Sequence, residues 1–517
     1  MKSPTPLHKL KSSDIYPALI CTLLFILALI VRWRVFYDFC LVFTDCDQLL
    51  LWDVANDMHH GIFHEPCFYG QSYNPLIEPL FAQVFLIFRM PLQVALPLIS
   101  WIFGFFPYLL LGWAFFREKK YLSVAFTFVY LLWLPIEFQA IDSMPRGYVP
   151  ASAFASIGVY MALFTQKKSR FFWFAFFSLF AFTVSQNCIF FIVPVALYLW
   201  LDHLKDFKYY VQTFVGIVAA LPLPLFIYWF YNRHPEYIVH GIEYTFDFNT
   251  FKESLKQTDK IFNFLVAGHG FKLLIISLGF SIFALACFIK KNIKAGISIM
   301  GGLAVLYFSL WFDKAQDGTQ SLFFSSIRMY LGVPVGIIIF SYWTESSFKI
   351  KSFRGALEII SLTFLLAVGI VCSAERNWFF KDHLYNSADA EDIVSSQTTS
   401  GLEAYCSGLS VLCRNYHTDL IILNNNQAGA AYMCAAFNYP FEVLRPCYER
   451  RTWTLQHEDS TIRRDFIYLP ANPDTVYKFA AGIDLKPTYD ATAFLITTRG
   501  RKVFDILKDL KEEVRAH

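Results

Sequence analysis

TDCDQLLLWDVANDMHHGIFHEPCFYGQSYNPLIEP, residues 44–79, is the stretch on which the reading of this chain turns. It holds Asp45, Asp47, Asp53, Asp57, Glu65 and Glu78 in a chain with only 16% charged residues. Leu50, Leu51, Val54, Ala55 and Met58 fall on one helical face, with Asp53, Asn56, Asp57 and His60 on the other. Gly61 stands where a helix commonly ends. A helix of this kind is expected to lie flat on a membrane surface, apolar side down. That would hold the carboxylates of Asp45 and Asp47 at the water–lipid boundary. The plainer role for Asp45 is capping, because Asp45 to Gln48 fits an acidic variant of the capping box. The second half adds Gly70, Gln71, Tyr73 and Glu78 just before the next apolar segment. An acid entering such a segment is costly and is usually there for function.

Composition points the same way. Apolar residues make up 56% of the chain and Phe alone numbers 57, while soluble domains carry about 25% charged residues. The net charge of +3 gives no electrostatic case for nucleic-acid binding. The first apolar run, residues 16–31, follows Lys2, Lys9 and Lys11. It is followed by Arg32-Trp33-Arg34 rather than by a small-residue cleavage site. It therefore reads as an uncleaved first helix with an interfacial anchor, not a signal peptide. Further runs of near-bilayer length lie at 94–116, 121–138, 149–165, 171–187, 188–201, 210–231, 270–289, 295–312, 328–343 and 355–374. Basic clusters at 117–120, 167–170, 203–205, 290–291 and 349–354 all fall on one side if each run is a crossing. This predicts about eleven crossings, amino end inside and carboxyl end outside. Residues 76–90 read as a helix dipping into the interface, because a crossing there would put Arg117 to Lys120 outside.

The other side collects loops of different chemistry. EFQAIDSMPRGYVP, residues 137–150, carries Asp142 and Arg146 as its charged pair; the plain alternative is a Pro-Gly turn with a surface salt bridge. Residues 232–269 are long and polar, with His234, Glu236, His240, Glu243 and His269 at spacings unlike a zinc site. Such a loop could cover a cleft. WFDKAQDGTQSLFFSSIRMY, residues 311–330, places Arg328 at the start of the next run, where snorkelling to headgroups is the ordinary role. From about Ala374 the composition becomes mixed. Asp419 to Leu423, Asp465 to Leu469 and Ala493 to Thr497 read as short strands, and Gln427 to Phe437 and Lys502 to Glu513 as helices. The expectation is a membrane domain at 1–374, with a first outer loop at 36–78, and a small extracytoplasmic α/β domain at 375–517. Cys406, Cys413, Cys434 and Cys447 lie in that domain, where a disulfide is permitted but its connectivity cannot be read.

The first outer loop resembles that of the GT-C glycosyltransferases, closest to the bacterial branch akin to protein O-mannosyltransferases and aminoarabinose transferases. Many of those chains have an Asp-Glu pair, an amphipathic helix ending in Gly, then Tyr-Gly-Gln-x-Tyr and a later Glu. Aligning on Tyr69-Gly70-Gln71 puts Asp47 on the catalytic Asp, Gly61 on the helix-ending Gly and Glu78 on the later Glu. Gln48 stands where the family commonly has Glu; Asp45-Cys46-Asp47 also matches the DxD-like pattern of other GT-C enzymes. Arg328-Met329-Tyr330-Leu331 resembles the family's Arg-Tyr-Leu motif with one residue inserted. The match covers about thirty-five residues closely and the membrane part diffusely.

The resemblance implies a polytopic GT-C glycosyltransferase of the bacterial inner membrane. It would move a sugar from a polyprenyl-phosphate donor to a lipid, glycan or protein acceptor on the outer face. Asp47 would be the base, with Asp45 second. Arg328 would bind the lipid phosphate, with Arg146 as a further candidate. Glu78, Gln71 and Tyr73 would orient hydroxyls, and Tyr330 and Asp142 would line the substrate site. Asp45, Asp47 and Glu78 could hold Mg²⁺ or Mn²⁺ through oxygen, and the residues leave open whether a metal takes part. The rival reading, a transporter or flippase of a lipid-linked saccharide, explains the many crossings. It explains less well why acids crowd an outer loop rather than the bilayer midplane, and no internal repeat supports it.

Overall fold

The computed structural model describes residues 12–40, 46–69, 72–142, 144–235, 237, 245–266, 270–316, 325–348, 356–382, 399–423, 434, 439, 441–444, 462–470, 484–487 and 493–510. The helices are α1 (Ser12–Phe39), α2 (Cys46–His59), α3 (Ile77–Ile87), α4 (Leu92–Arg117), α5 (Tyr121–Trp133), α6 (Ile136–Ile141) and α7 (Pro150–Phe164). Next come α8 (Arg170–Val184), α9 (Ile189–Asp202), α10 (Phe207–Ala220), α11 (Pro222–Arg233), α12 (Phe248–Lys256) and α13 (Thr258–Ile261). Then follow α14 (Lys272–Ile289), α15 (Ile293–Ser309), α16 (Ser325–Tyr330), α17 (Gly332–Ser347), α18 (Ala356–Asp382), α19 (Thr399–Asn415) and α20 (Val503–Asp509). Among the described residues, five helical stretches are long and apolar enough to cross a membrane: 14–37, 92–117, 207–233, 272–289 and 357–374.

The helices form a bundle with two chemically distinct ends. At one end Asp14 meets Lys119 at 2.6 Å, and the Tyr342 hydroxyl donates to Glu118 at 2.6 Å. There too Ser123 N donates to Glu345 at 2.8 Å, and Lys294 meets Asp202 at 2.7 Å. The opposite end holds Arg32, Glu78, Asp142, Asn187 and Tyr330, joined by contacts described below. Lys119 follows α4 yet sits against the first turn of α1, so these two helices run antiparallel. Residues 40–91 therefore start and finish at the second end. With 11 residues, α3 is only about 16 Å long and does not pass to the first end.

The amphipathic helix forms as expected and ends where expected. Gly61 takes φ +77°, and Ile62 N reaches back to the Asp57 carbonyl at 2.8 Å, which closes the helix end with a left-handed residue. Its apolar face, however, does not lie on lipid. Leu51, Val54 and Ala55 are buried against α3 and α4, and Gln83 Nε2 donates to the Ala55 carbonyl at 2.9 Å. An apolar stripe reports only that something apolar covers it, and here the cover is protein.

Close helix approach is set by small residues. A Cβ at Gly332 would stand 2.2 Å from the Asn187 carbonyl oxygen, so the start of α17 rests directly on the backbone between α8 and α9. Gly332→Ala is expected to lower stability by about 1–3 kcal/mol, read by thermal unfolding in detergent. An unchanged midpoint would mean the two backbones separate freely.

Residues 420–497 contribute a five-stranded mixed sheet of β1 (Leu420–Leu423), β2 (Glu442–Leu444), β3 (Phe466–Leu469), β4 (Asp484–Pro487) and β5 (Phe494–Thr497), in the order β2-β1-β3-β5-β4. β1 pairs in parallel with β2 and β3, and β5 pairs antiparallel with β3 and β4. Phe466, Tyr468, Phe494 and Ile496 pack against Val503, Ile506 and Leu507 of α20. Three strands and α20 lie within the segments read from sequence; β2, β4 and α19 went unread. Most of 427–437 lies outside the described residues. Cys406 and Cys434 form a disulfide.

Candidate active site

The second end of the bundle is assembled around the segment 142–150. Glu78, in the first turn of α3, is fully buried. Its Oε2 accepts N–H groups from Arg146, at 3.0 Å, and from Gly147. Burial pushes the Glu78 carboxyl up to about 7, against the pull of the Gly147, Ser100 and Arg146 hydrogen bonds. Glu78 and the 137–150 loop, far apart in sequence, are thus joined side chain to backbone. The next residue, Tyr148, offers its carbonyl to Asn187 Nδ2 at 3.1 Å, and Ser152 Oγ lies 3.5 Å from Asn187 Oδ1. Asn187 supports Gly332, which directly follows the Arg328–Leu331 motif. A chain of contacts therefore runs from Glu78 to the start of α17.

For Asp142 the plain alternative, a surface salt bridge in a turn, does not form. The residue is 4% exposed and pairs with Arg32 of α1, Nη1 to Oδ2 at 3.3 Å. Arg146 is equally buried, at 5%. Arg32, read as an interfacial anchor, is instead wholly enclosed and also donates to the Gln139 carbonyl at 3.1 Å. Burial raises the Asp142 carboxyl to about 7, and the Arg32 guanidinium opposes that rise. A small cavity beside Asp142 is lined by Gly104, Tyr108, Ser152 and Leu331.

The first loop is itself tied down. Phe68 N donates to the Asn74 carbonyl at 3.0 Å and Leu76 N to the Pro66 carbonyl at 3.3 Å, making a narrow hairpin. Gly70, Gln71 and Asp45 lie outside the described residues, and Tyr73 is half-buried. Tyr69 OH donates to Asp57 at 2.8 Å, which fixes the hairpin to α2. Tyr231 OH donates to Glu65 at 2.7 Å and Tyr237 OH to the His64 carbonyl at 2.6 Å, which fixes it to the end of α11 and the loop beyond. Asp47 belongs to the first turn of α2, at this same end.

Arg328 is half-buried in the six-residue α16. Tyr330 does not line an open site. It is 1% exposed, its ring lies between Phe190 and Phe262, and its hydroxyl is 2.9 Å from Ser309 Oγ. It is a packing residue, two positions after Arg328 in the same short helix. No group of three or more His, Cys, Asp or Glu side chains that could hold a metal occurs among the described residues.

Sequence reading passed over Arg32 and Asn187. Arg32 carried a usable signal, because an ionisable residue continuing an apolar helix is a candidate for a buried partnership. Asn187 carried none, being one polar residue between two apolar runs.

No protein-family model matches the chain, and no curated protein matches it by sequence. The fold is similar to that of ArnT from Cupriavidus metallidurans, an aminoarabinose transferase with the GT-C fold. The likeness has a TM-score of 0.57 at 11% identity and covers 92% of this chain and 97% of ArnT. The same values hold for ArnT in the apo state and for ArnT bound to undecaprenyl phosphate. At this identity the likeness establishes the fold.

Proposed function

We propose that this chain is a membrane glycosyltransferase that moves a sugar from a polyprenyl-phosphate-linked donor to an acceptor on the extracytoplasmic face. The observation that carries the reading is its likeness, over 92% of its length, to a protein that binds undecaprenyl phosphate. Glu65 and Glu78 of the first loop, held at the same end of the bundle as 142–150, give that likeness its chemistry.

Orientation follows from charge. Lys119, Lys294 and the Arg170–His203 contact mark the first end of the bundle as the basic one. By the positive-inside rule that end faces the cytoplasm. Eleven passes then connect the two ends: α1, α4, α5, α7, α8, α9, α10 with α11, α14, α15, α17 and α18. The Cys406–Cys434 disulfide agrees with an oxidising compartment for the carboxyl-terminal residues. A membrane-impermeant thiol reagent is expected to reach a cysteine placed at Asn249 from outside and not one placed at Lys168. Outside labelling at Lys168 would reverse the orientation.

In the reaction, the acceptor hydroxyl oxygen attacks the anomeric carbon from the face opposite the phosphate. The new C–O bond forms as the bond to the lipid phosphate breaks, and the phosphate leaves with the electron pair. Configuration inverts, and no enzyme nucleophile is needed. Asp47 takes the hydroxyl proton, with Asp45 as the alternative. Arg328 receives the charge on the leaving phosphate. Glu78 and Tyr73, with Gln71, orient hydroxyls. Glu78 Oε1 is the carboxylate oxygen that Arg146 and Gly147 do not take, and is the one this residue could give to Mg²⁺ or Mn²⁺, alongside Asp45 and Asp47. Such a cation would take up charge on the leaving phosphate.

The test is twofold. Purified protein in nanodiscs is expected to bind undecaprenyl phosphate, and to release it from a pool of lipid-linked sugars extracted from bacterial membranes when acceptor-containing membrane extract is added. Movement of intact lipid-linked sugar across vesicles without such release would favour a carrier and sink the enzyme reading.

A further inference from the structure

We infer that Arg32 is a positioning residue for Glu78. It holds the end of α6, residues 139–142, in one place on the bundle, and that helix end determines where the Arg146 and Gly147 N–H groups meet the carboxylate. The consequence for turnover rests on the proposed function; the geometry does not.

A guanidinium buried at 0% exposure near the end of an apolar helix is costly. Buried ion pairs of this kind are often no more stable than an apolar pair of the same volume. Stability alone therefore does not account for it. Nor is the arginine's hydrogen bonding complete, since Nε and Nη2 have no acceptor. What Arg32 does achieve is reach. One nitrogen, Nη1, touches the Gln139 carbonyl at 3.1 Å and Asp142 Oδ2 at 3.3 Å.

The surroundings make that reach specific. Gln139 Nε2 is bonded to the Leu131 and Leu134 carbonyls at 3.0 and 3.2 Å, which ties α6 to the end of α5. Trp101 Nε1 donates to the Arg32 carbonyl at 3.0 Å, which locks α1 to α4 at the same level. Gly104 completes the seat: a Cβ there would stand 2.8 Å from Asp142 Cβ and 2.9 Å from its carbonyl oxygen. Only residues 143–145 separate Asp142 from Arg146, and Pro145 stiffens that link. A shift at Asp142 therefore passes to the two N–H groups that hold Glu78.

The experiment pairs Arg32→Met with Asp142→Leu in the full chain, removing both charges together. Thermal unfolding is expected to stay near that of the natural protein. Hydrogen–deuterium exchange should nonetheless show lost protection across 144–148, with α7 unaffected. Release of undecaprenyl phosphate from the lipid-linked sugar pool should fall roughly 10²-fold, the cost of a small misplacement of a reacting group. Affinity for undecaprenyl phosphate itself should not change. Arg32→Lys keeps the charge but not the reach and should show the same pattern more weakly; it decides the matter should the double variant fail to fold. Natural protection across 144–148 in these variants would overturn the inference. The exchange measurement needs no substrate, so it judges Arg32 even if the protein proves not to bind undecaprenyl phosphate, a result that would instead sink the glycosyltransferase reading.

Discussion

Asp47→Asn is expected to reduce sugar transfer by about 10²- to 10⁴-fold, the usual worth of a positioned general base, while undecaprenyl phosphate still binds. The substitution keeps size and shape and removes only the capacity to take a proton. Asp47 lies inside the first turn of α2, after the capping position, so a purely structural role would lose on going to Asn only a charge–dipole contact of about 0.3–1 kcal/mol and would leave transfer unchanged. Expression and thermal unfolding should therefore match the natural protein, and the loss should fall on the transfer step alone. Asp45→Asn is expected to cost less. If both changes are severe and added Mn²⁺ alters the rate, a cation shared by the two carboxylates is the better account. Full turnover by purified Asp47→Asn protein would remove this residue from the mechanism.

Arg328→Ala is expected to weaken undecaprenyl phosphate binding by roughly 10- to 100-fold, matching hydrogen bonds to a charged group at about 1.5–3 kcal/mol. Arg328→Lys should restore only part, because an ammonium lacks the planar fork that engages two phosphate oxygens. Isothermal titration in nanodiscs separates these outcomes. Tyr330→Phe is the control. It deletes the hydroxyl that meets Ser309 and leaves the ring between Phe190 and Phe262, so phosphate binding should persist. An unchanged affinity for Arg328→Ala would return Arg328 to a headgroup anchor.

Several features were legible before any coordinates. The alternation of apolar runs and basic loops follows from what a bilayer tolerates, so helix positions and the two ends of the bundle could be read from hydropathy and charge. Helix α2 and its end at Gly61 were legible because helical period and the left-handed glycine are local properties. The acids of the first loop were visible as an excess of charge in an apolar chain. That α3 does not run to the first end of the bundle could also be reasoned, since a crossing there would reverse every later basic loop.

What covers a face and what pairs with a charge were not legible. The apolar stripe of α2 looked the same whether lipid or α3 and α4 covered it, because sequence period states a requirement for burial and not the partner. Asp142 had an arginine four residues away, and local spacing favoured Arg146; the tertiary structure brought Arg32 from more than a hundred residues earlier. Tyr330 matched a motif yet faces Ser309, since motif spacing does not specify which way a helix turns its side chains. The backbone bonds from Arg146 and Gly147 to Glu78 left no trace in sequence at all, because every residue type but proline offers the same N–H. The sequence by itself determined a membrane helix bundle with an acidic first loop. Only packing decided which of its buried charges meet, because that depends on which helix ends the folded bundle brings to the same level.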